Sequence, residues 1–146
     1  MPKITKLMVR EFKIREYGYD FMGYHLNQGD KHTFHHLVVA RRDGGPYARW
    51  NGAILCGASS HPYLHTIEKK DHDIFMYLTS EMLDMNVKGY LDIDNLKRIN
   101  DLLCYFEKEH CSDRMKSGKL LIKEEYTKRI IVWIVFFRKI NFKNYL

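Results

Sequence analysis

Apolar positions recur with two different periods along this chain, and the places where the period changes mark the expected elements. From Thr33 to Ala40 the run TFHHLVVA is apolar and rich in β-branched residues, which predicts a strand. It ends in RRDGGPY, where Asp-Gly, Gly-Gly and Gly-Pro follow one another and predict a loop. A second short apolar run, Ala53 to Cys56, comes after Trp50, Asn51 and Gly52, so the two runs are expected to pair as a hairpin with an elongated connection. Beyond Gly57 the period lengthens. Ser59 and Ser60 offer helix caps and Pro62 fits a first turn, where its missing N–H costs nothing, so a helix should start near His61.

Two longer helices follow from the same logic. Asp71 or Asp73 caps a stretch in which Ile74, Leu78 and Met82 share a face, and Gly89 closes it. Asp92 or Asp94 opens the next, where Ile93, Leu96, Ile99, Leu103 and Phe106 recur at helical spacing up to about His110. Residues 112–119, SDRMKSGK, are polar and predict a loop, after which Ile122 to Ile131 predicts a return to helix. The first thirty residues carry both periods: Leu7, Val9, Phe12 and Ile14 alternate loosely, whereas Ile4, Met8 and Phe12 suit a helix. The pattern as a whole reads as an α+β chain, a β-hairpin and helix at about 32–70 embedded in a mainly helical single domain 1–146, with its helical C-terminal part at about 71–137.

Composition narrows the class without naming a function. At 146 residues, 45% hydrophobic and 29% charged, the chain has enough apolar material for one self-sufficient core. A formal charge of +6 modestly favours a polyanionic partner. The three cysteines, Cys56, Cys104 and Cys111, form no CxxC and no even set, which argues against a disulfide framework and for a reducing, cytoplasmic setting in a bacterial host. The charged N-terminus, MPKITKLMVREFK, lacks a secretory apolar centre. The longest apolar run, Ile130 to Phe137, is far short of the roughly 20 residues a membrane span needs and reads as a buried strand or helix end.

The chemistry lies in the histidines. Of eight, four fall in the predicted strand–loop–strand–helix: His35 and His36 on the first strand, His61 and His65 on the helix. Positions i and i+4 lie one turn apart on one helix face, so two imidazoles can converge on one divalent ion. A hairpin packed on that helix would bring His35 or His36 as a third ligand, leaving a coordination position open, as catalytic metals require.

These residues resemble the HNH, or His-Me finger, endonucleases, whose ββα-metal motif has a His pair, then an Asn, then helix-borne histidines. The stretch HHLVVARRDGGPYARWNGAILCGASSHPYLH agrees in order and context, with Asn51 fifteen positions after His36, His61 ten after Asn51 and His65 four after His61. The variant with three histidine ligands, found in nuclease bacteriocins, is the most similar, and the resemblance covers about a quarter of the chain. It implies that His35, His61 and His65 bind metal, that His36 is the general base, and that Asn51 pins the hairpin loop. All-nitrogen ligation favours zinc, nickel or cobalt over magnesium, zinc first.

Side chains of neighbouring strand residues point to opposite faces. For His35 and His36 both to address one phosphate, the strand is expected to bulge or twist sharply at the pair, with Gly44, Gly45 and Gly52 supplying unusual backbone nearby. No acidic residue stands just before the pair, so a carboxylate orienting a histidine is expected from farther away, Asp30 or Glu68. Arg41, Arg42 and Arg49 flank the loop and are candidates for holding phosphates, and Tyr47 and Trp50 for stacking on bases. Two functions follow. The first is a metal-dependent nuclease cleaving DNA phosphodiesters. The second is a non-catalytic HNH-like metalloprotein that inhibits a nucleic-acid machine, as a phage-encoded anti-CRISPR protein blocking a CRISPR effector would; its flanking helices would supply the partner surface.

Overall fold

The structure is a computed structural model that describes residues 2–26 and 31–111. The expected helix at 122–131, the apolar run at 130–137 and Asp30 lie outside the described residues. Within them the chain is α+β: helices α1 (Lys3–Glu11) and α2 (Ile14–Tyr17), strands β1 (His32–His36) and β2 (Gly52–Cys56), and helices α3 (Ser60–Lys70), α4 (His72–Lys88) and α5 (Ile93–Cys111).

The ambiguous N-terminal stretch is resolved in favour of the helix. Met8 and Phe12, one turn apart, are both sealed in the core, whereas Leu7 is 47% exposed, so the alternating pattern loses. Lys13, in a left-handed conformation at φ 55°, breaks α1 from α2. The next residues turn back onto the hairpin, where the backbone N–H of Phe21 donates to the carbonyl of Ile54 at 3.1 Å.

β1 and β2 pair antiparallel in an unbroken register from His32↔Cys56 to His36↔Gly52. Every residue of β2 is buried, because the short sheet is packed against the surrounding helices rather than facing water on one side. β1 stops at His36, earlier than the apolar run to Ala40 predicts, and the reason is Asn51. Its side-chain oxygen accepts from the N–H groups of Val38 (2.9 Å) and Val39 (2.8 Å), turning that backbone away from the ladder. Its amide donates to the carbonyls of Val39 (3.0 Å) and Pro46 (3.1 Å) and closes the loop on itself. Gly45 is required in that loop, since a Cβ there would lie 2.0 Å from the carbonyl oxygen of Val39.

The helix ends follow capping chemistry. The Asp71 carboxylate accepts from the N–H of Ile74 at 3.1 Å and starts α4, and Gly89 ends that helix at φ 85°. Asp92 accepts from the N–H groups of Asp94 and Asn95 at the start of α5. Leu78, Met82 and Met85 of α4 join Leu96, Ile99, Leu103 and Phe106 of α5 in one core with the hairpin and the N-terminal helices. No helix among the described residues is long and apolar enough to cross a membrane.

Candidate metal centre

Strand β1 and helix α3 meet at three imidazoles. The ring of His35 stands edge-on to those of His61 and His65, with centroids 5.3 and 5.5 Å away, while His61 and His65 stack at 4.9 Å. One ring nitrogen from each lies within 4.8 Å of the other two, so the group can hold a metal ion. A tetrahedral ion bound at about 2.0–2.1 Å needs donor atoms roughly 3.4 Å apart, a spacing inside that 4.8 Å limit. The site runs from core to solvent: His35 is buried, His61 half-buried and His65 exposed. The solvent side of the group is thus the side of His65.

The electrostatics suit a cation. Burial pushes His35 down to about 3, with the charges of His61, His65 and His36 adding to the effect. His61 is pushed down to about 4, again first by burial and then by His65 and His36. Both rings are neutral at neutral pH, the form a metal requires. The Nε2 of His35 is buried without a hydrogen-bond partner, an arrangement that costs free energy unless something accepts its lone pair or proton. A metal ion at the centre of the three rings would do so.

The surroundings orient the other two rings. His65 Nδ1 lies 3.3 Å from the carboxylate of Glu68 one turn along α3, one of the two acids expected for such a role. His61 Nδ1 lies 2.6 Å from the hydroxyl of Thr33 on β1. Phe75 of α4 closes the inner side, its ring 6.2 Å from that of His35.

His36 occupies a different environment from its neighbour. Its ring packs edge-on against Phe34 (5.0 Å) and Tyr47 (4.8 Å), on the face of β1 opposite to His35. The expected bulge at the pair is absent: His35↔Ala53 and His36↔Gly52 are consecutive in the register. The ladder stays regular because Gly52 leaves room for the Phe34 ring, which a Cβ would meet at 2.1 Å; the chain bends only after His36, through Asn51. Desolvation lowers the pKa of His36, opposed by a backbone hydrogen bond to Gly45, and its Nε2 is buried with no hydrogen-bond partner.

Arg41 and Arg42 are exposed at the loop, Arg41 leaning over the Tyr47 ring at 5.9 Å. Arg49 departs from the expectation that it faces phosphates. Its Nε contacts both Glu11 oxygens at 3.0 and 3.1 Å, and Nη1 donates to the backbone and side-chain oxygens of Asn86. These bonds tie the loop to α1 and α4 and leave the guanidinium few donors for a ligand. Trp50 is 51% exposed beside it.

Two residues that hold the site in place were not expected from sequence. Asp20, fully buried, accepts from the N–H groups of Met22 and Tyr24 and, across the fold, from the N–H of Cys56 and the hydroxyl of Ser60. Ser60 thus faces Asp20, and Ser59, the residue before α3, makes no side-chain cap bond. The signal was present as a lone acid among aromatic residues, in YGYDFMGY, where a charge has to be satisfied if buried. Asn86 of α4 donates to the carbonyls of Arg49 and Gly52, bracing the loop's return into β2.

Comparison with known protein families, with curated proteins and with solved structures finds no match to this chain.

Proposed function

We propose that β1, β2 and α3 form a ββα-metal finger of the HNH kind, at about 32–70 of a single domain, which carries one zinc ion on His35, His61 and His65 and cleaves DNA phosphodiester bonds. The observation that carries this reading is the convergence of three imidazoles from a strand and the following helix. Zinc suits three nitrogen donors, and a position left open beside the exposed His65 suits a phosphate oxygen. Bound there, the ion would act as a Lewis acid on the charge that develops on the phosphoryl group and the leaving 3′ oxygen. His36 is the candidate base, Asn51 holds the loop that follows it, and Arg41 and Arg42 supply positive charge for the backbone of the nucleic acid.

One observation favours a second reading, a non-catalytic HNH-like metalloprotein that inhibits a nucleic-acid machine such as a CRISPR effector. His36 points away from the three ligands and its Nε2 is enclosed, whereas a base must reach the proton it removes. A metal can serve stability where no turnover occurs.

Plasmid nicking by the purified protein with added magnesium, manganese, nickel or zinc decides between them, with His36→Ala as the control. The nuclease reading expects nicking by the wild type and a loss of about 100-fold or more in the variant. Equal nicking by both would overturn the role of His36. Metal uptake without nicking by either would refute the nuclease and favour the inhibitor.

A further inference from the structure

We infer that Thr33 is a positioning residue of the metal centre, fixing the tautomer of His61 so that Nε2 is the nitrogen offered to the ion; this rests on the three-histidine reading above. Thr33 Oγ1 lies 2.9 Å from the carbonyl oxygen of Leu55 and 2.6 Å from His61 Nδ1. A hydroxyl has one hydrogen to donate, and a carbonyl can only accept. The hydroxyl hydrogen therefore belongs to Leu55, and the contact with the ring is satisfied when His61 Nδ1–H donates to the hydroxyl oxygen. Nε2 is then left bare, with its lone pair available.

The strand register sets the placement of Thr33. It stands directly opposite Leu55 in the strand register, two residues from His35, so its side chain emerges on the face of β1 that carries that ligand. The turn after β2 packs against its methyl group, for a Cβ on Gly57 would come within 2.8 Å of Thr33 Cγ2. Glu68 does the comparable task for His65 from the exposed side, where the carboxylate can only accept and so calls for Nδ1–H on that ring.

The two ligands consequently differ in character. His65 is backed by a carboxylate, while His61 is backed by a neutral hydroxyl. A centre with one carboxylate-backed imidazole leaves more of the ion's charge for a bound oxygen than one with three.

The experiment uses nitrogen-15 NMR of the histidine rings in the metal-free protein near neutral pH, and zinc affinity by chelator competition, on the wild type, Thr33→Val and Thr33→Ser. Val keeps the shape and removes the hydroxyl, while Ser keeps the hydroxyl. The expected result is Nδ1–H on His61 in the wild type and in Thr33→Ser, a gain of Nε2–H in Thr33→Val, and a zinc affinity about 10–100-fold lower in Thr33→Val alone. Tight zinc binding by the wild type with an unchanged tautomer and affinity in Thr33→Val overturns the role of Thr33 and leaves the metal centre standing. A wild type with Nδ1–H on His61 that takes up no zinc overturns the metal centre itself, and with it any role for Thr33 in metal binding.

Discussion

Asp20 reaches from the N-terminal segment to the first residue of α3 and accepts a hydrogen bond from the hydroxyl of Ser60, immediately before His61. A second contact, from the N–H of Cys56 at 2.9 Å, ties the same carboxylate to the end of β2. The junction between the hairpin and α3 is thus set by a residue some forty positions away, well outside both.

Replacing Asp20 by Ala would strand several buried donors, each costing about 1–3 kcal/mol when left unpaired. Urea unfolding of Asp20→Ala is expected to show a loss of more than about 3 kcal/mol, and Ser60→Ala a smaller loss of about 1–2 kcal/mol. Unchanged midpoints in both would show that the junction is held by packing alone.

Asn51 makes four hydrogen bonds to the loop between the strands. Asn51→Ala is expected to lower stability by roughly 2–4 kcal/mol, because partly buried backbone groups lose their partners. Asn51→Asp should also destabilise, since a carboxylate cannot donate to the carbonyls of Val39 and Pro46. Hydrogen exchange at Val38 and Val39 gives the local check, with faster exchange expected in both variants.

Arg49 and the Arg41–Arg42 pair should separate in their effects. Arg49→Ala breaks the bonds to Glu11 and Asn86 and is expected to cost about 1–3 kcal/mol of stability while leaving the salt dependence of the proposed DNA binding unaltered. Each of Arg41→Ala and Arg42→Ala is expected to leave stability nearly unchanged and to reduce the salt slope of binding by about 0.9. A reduced slope in Arg49→Ala alone would reverse this division.

Helices α3 and α4 meet at Asp71, whose carboxylate is 2.8 Å from His110 Nε2 and caps α4. The hydrogen bond from His110, then that from the N–H of Ile74, holds its pKa below the ordinary 3.8. Unfolded chains bind this proton at 3.8 and the folded chain only at lower pH, so the contribution is full above 3.8 and is lost as pH falls through the lowered value. Asp71→Ala is expected to cost about 1 kcal/mol at neutral pH, and its deficit relative to the wild type should shrink in unfolding experiments carried below that window. A deficit independent of pH would contradict the ionic cap.

What the sequence made legible was local. The i, i+4 pair His61 and His65 needs only a helix, and Asp71, Gly89 and Asp92 announce helix ends by their own chemistry. The hairpin that brings His35 to that pair followed from two apolar runs and a turn. The side chains that brace α3 and the loop were harder to read because their partners are distant in sequence: Thr33 with His61, Asp20 with Ser60, Arg49 with Glu11 and Asn86. The direction of His36 departs from the expected bulge for a similar reason. A strand with Gly52 opposite can stay regular and bury the ring of Phe34, and that packing, invisible in one strand's sequence, removes the need for a bulge.

The most direct measurement is the metal content of the purified protein by elemental analysis, for the wild type, His36→Ala and the double variant His61→Ala, His65→Ala. One zinc per chain in the wild type and in His36→Ala, and none in the double variant, is the expected result. Metal-free wild type after zinc loading, or zinc retained by the double variant, would contradict a centre built on His35, His61 and His65.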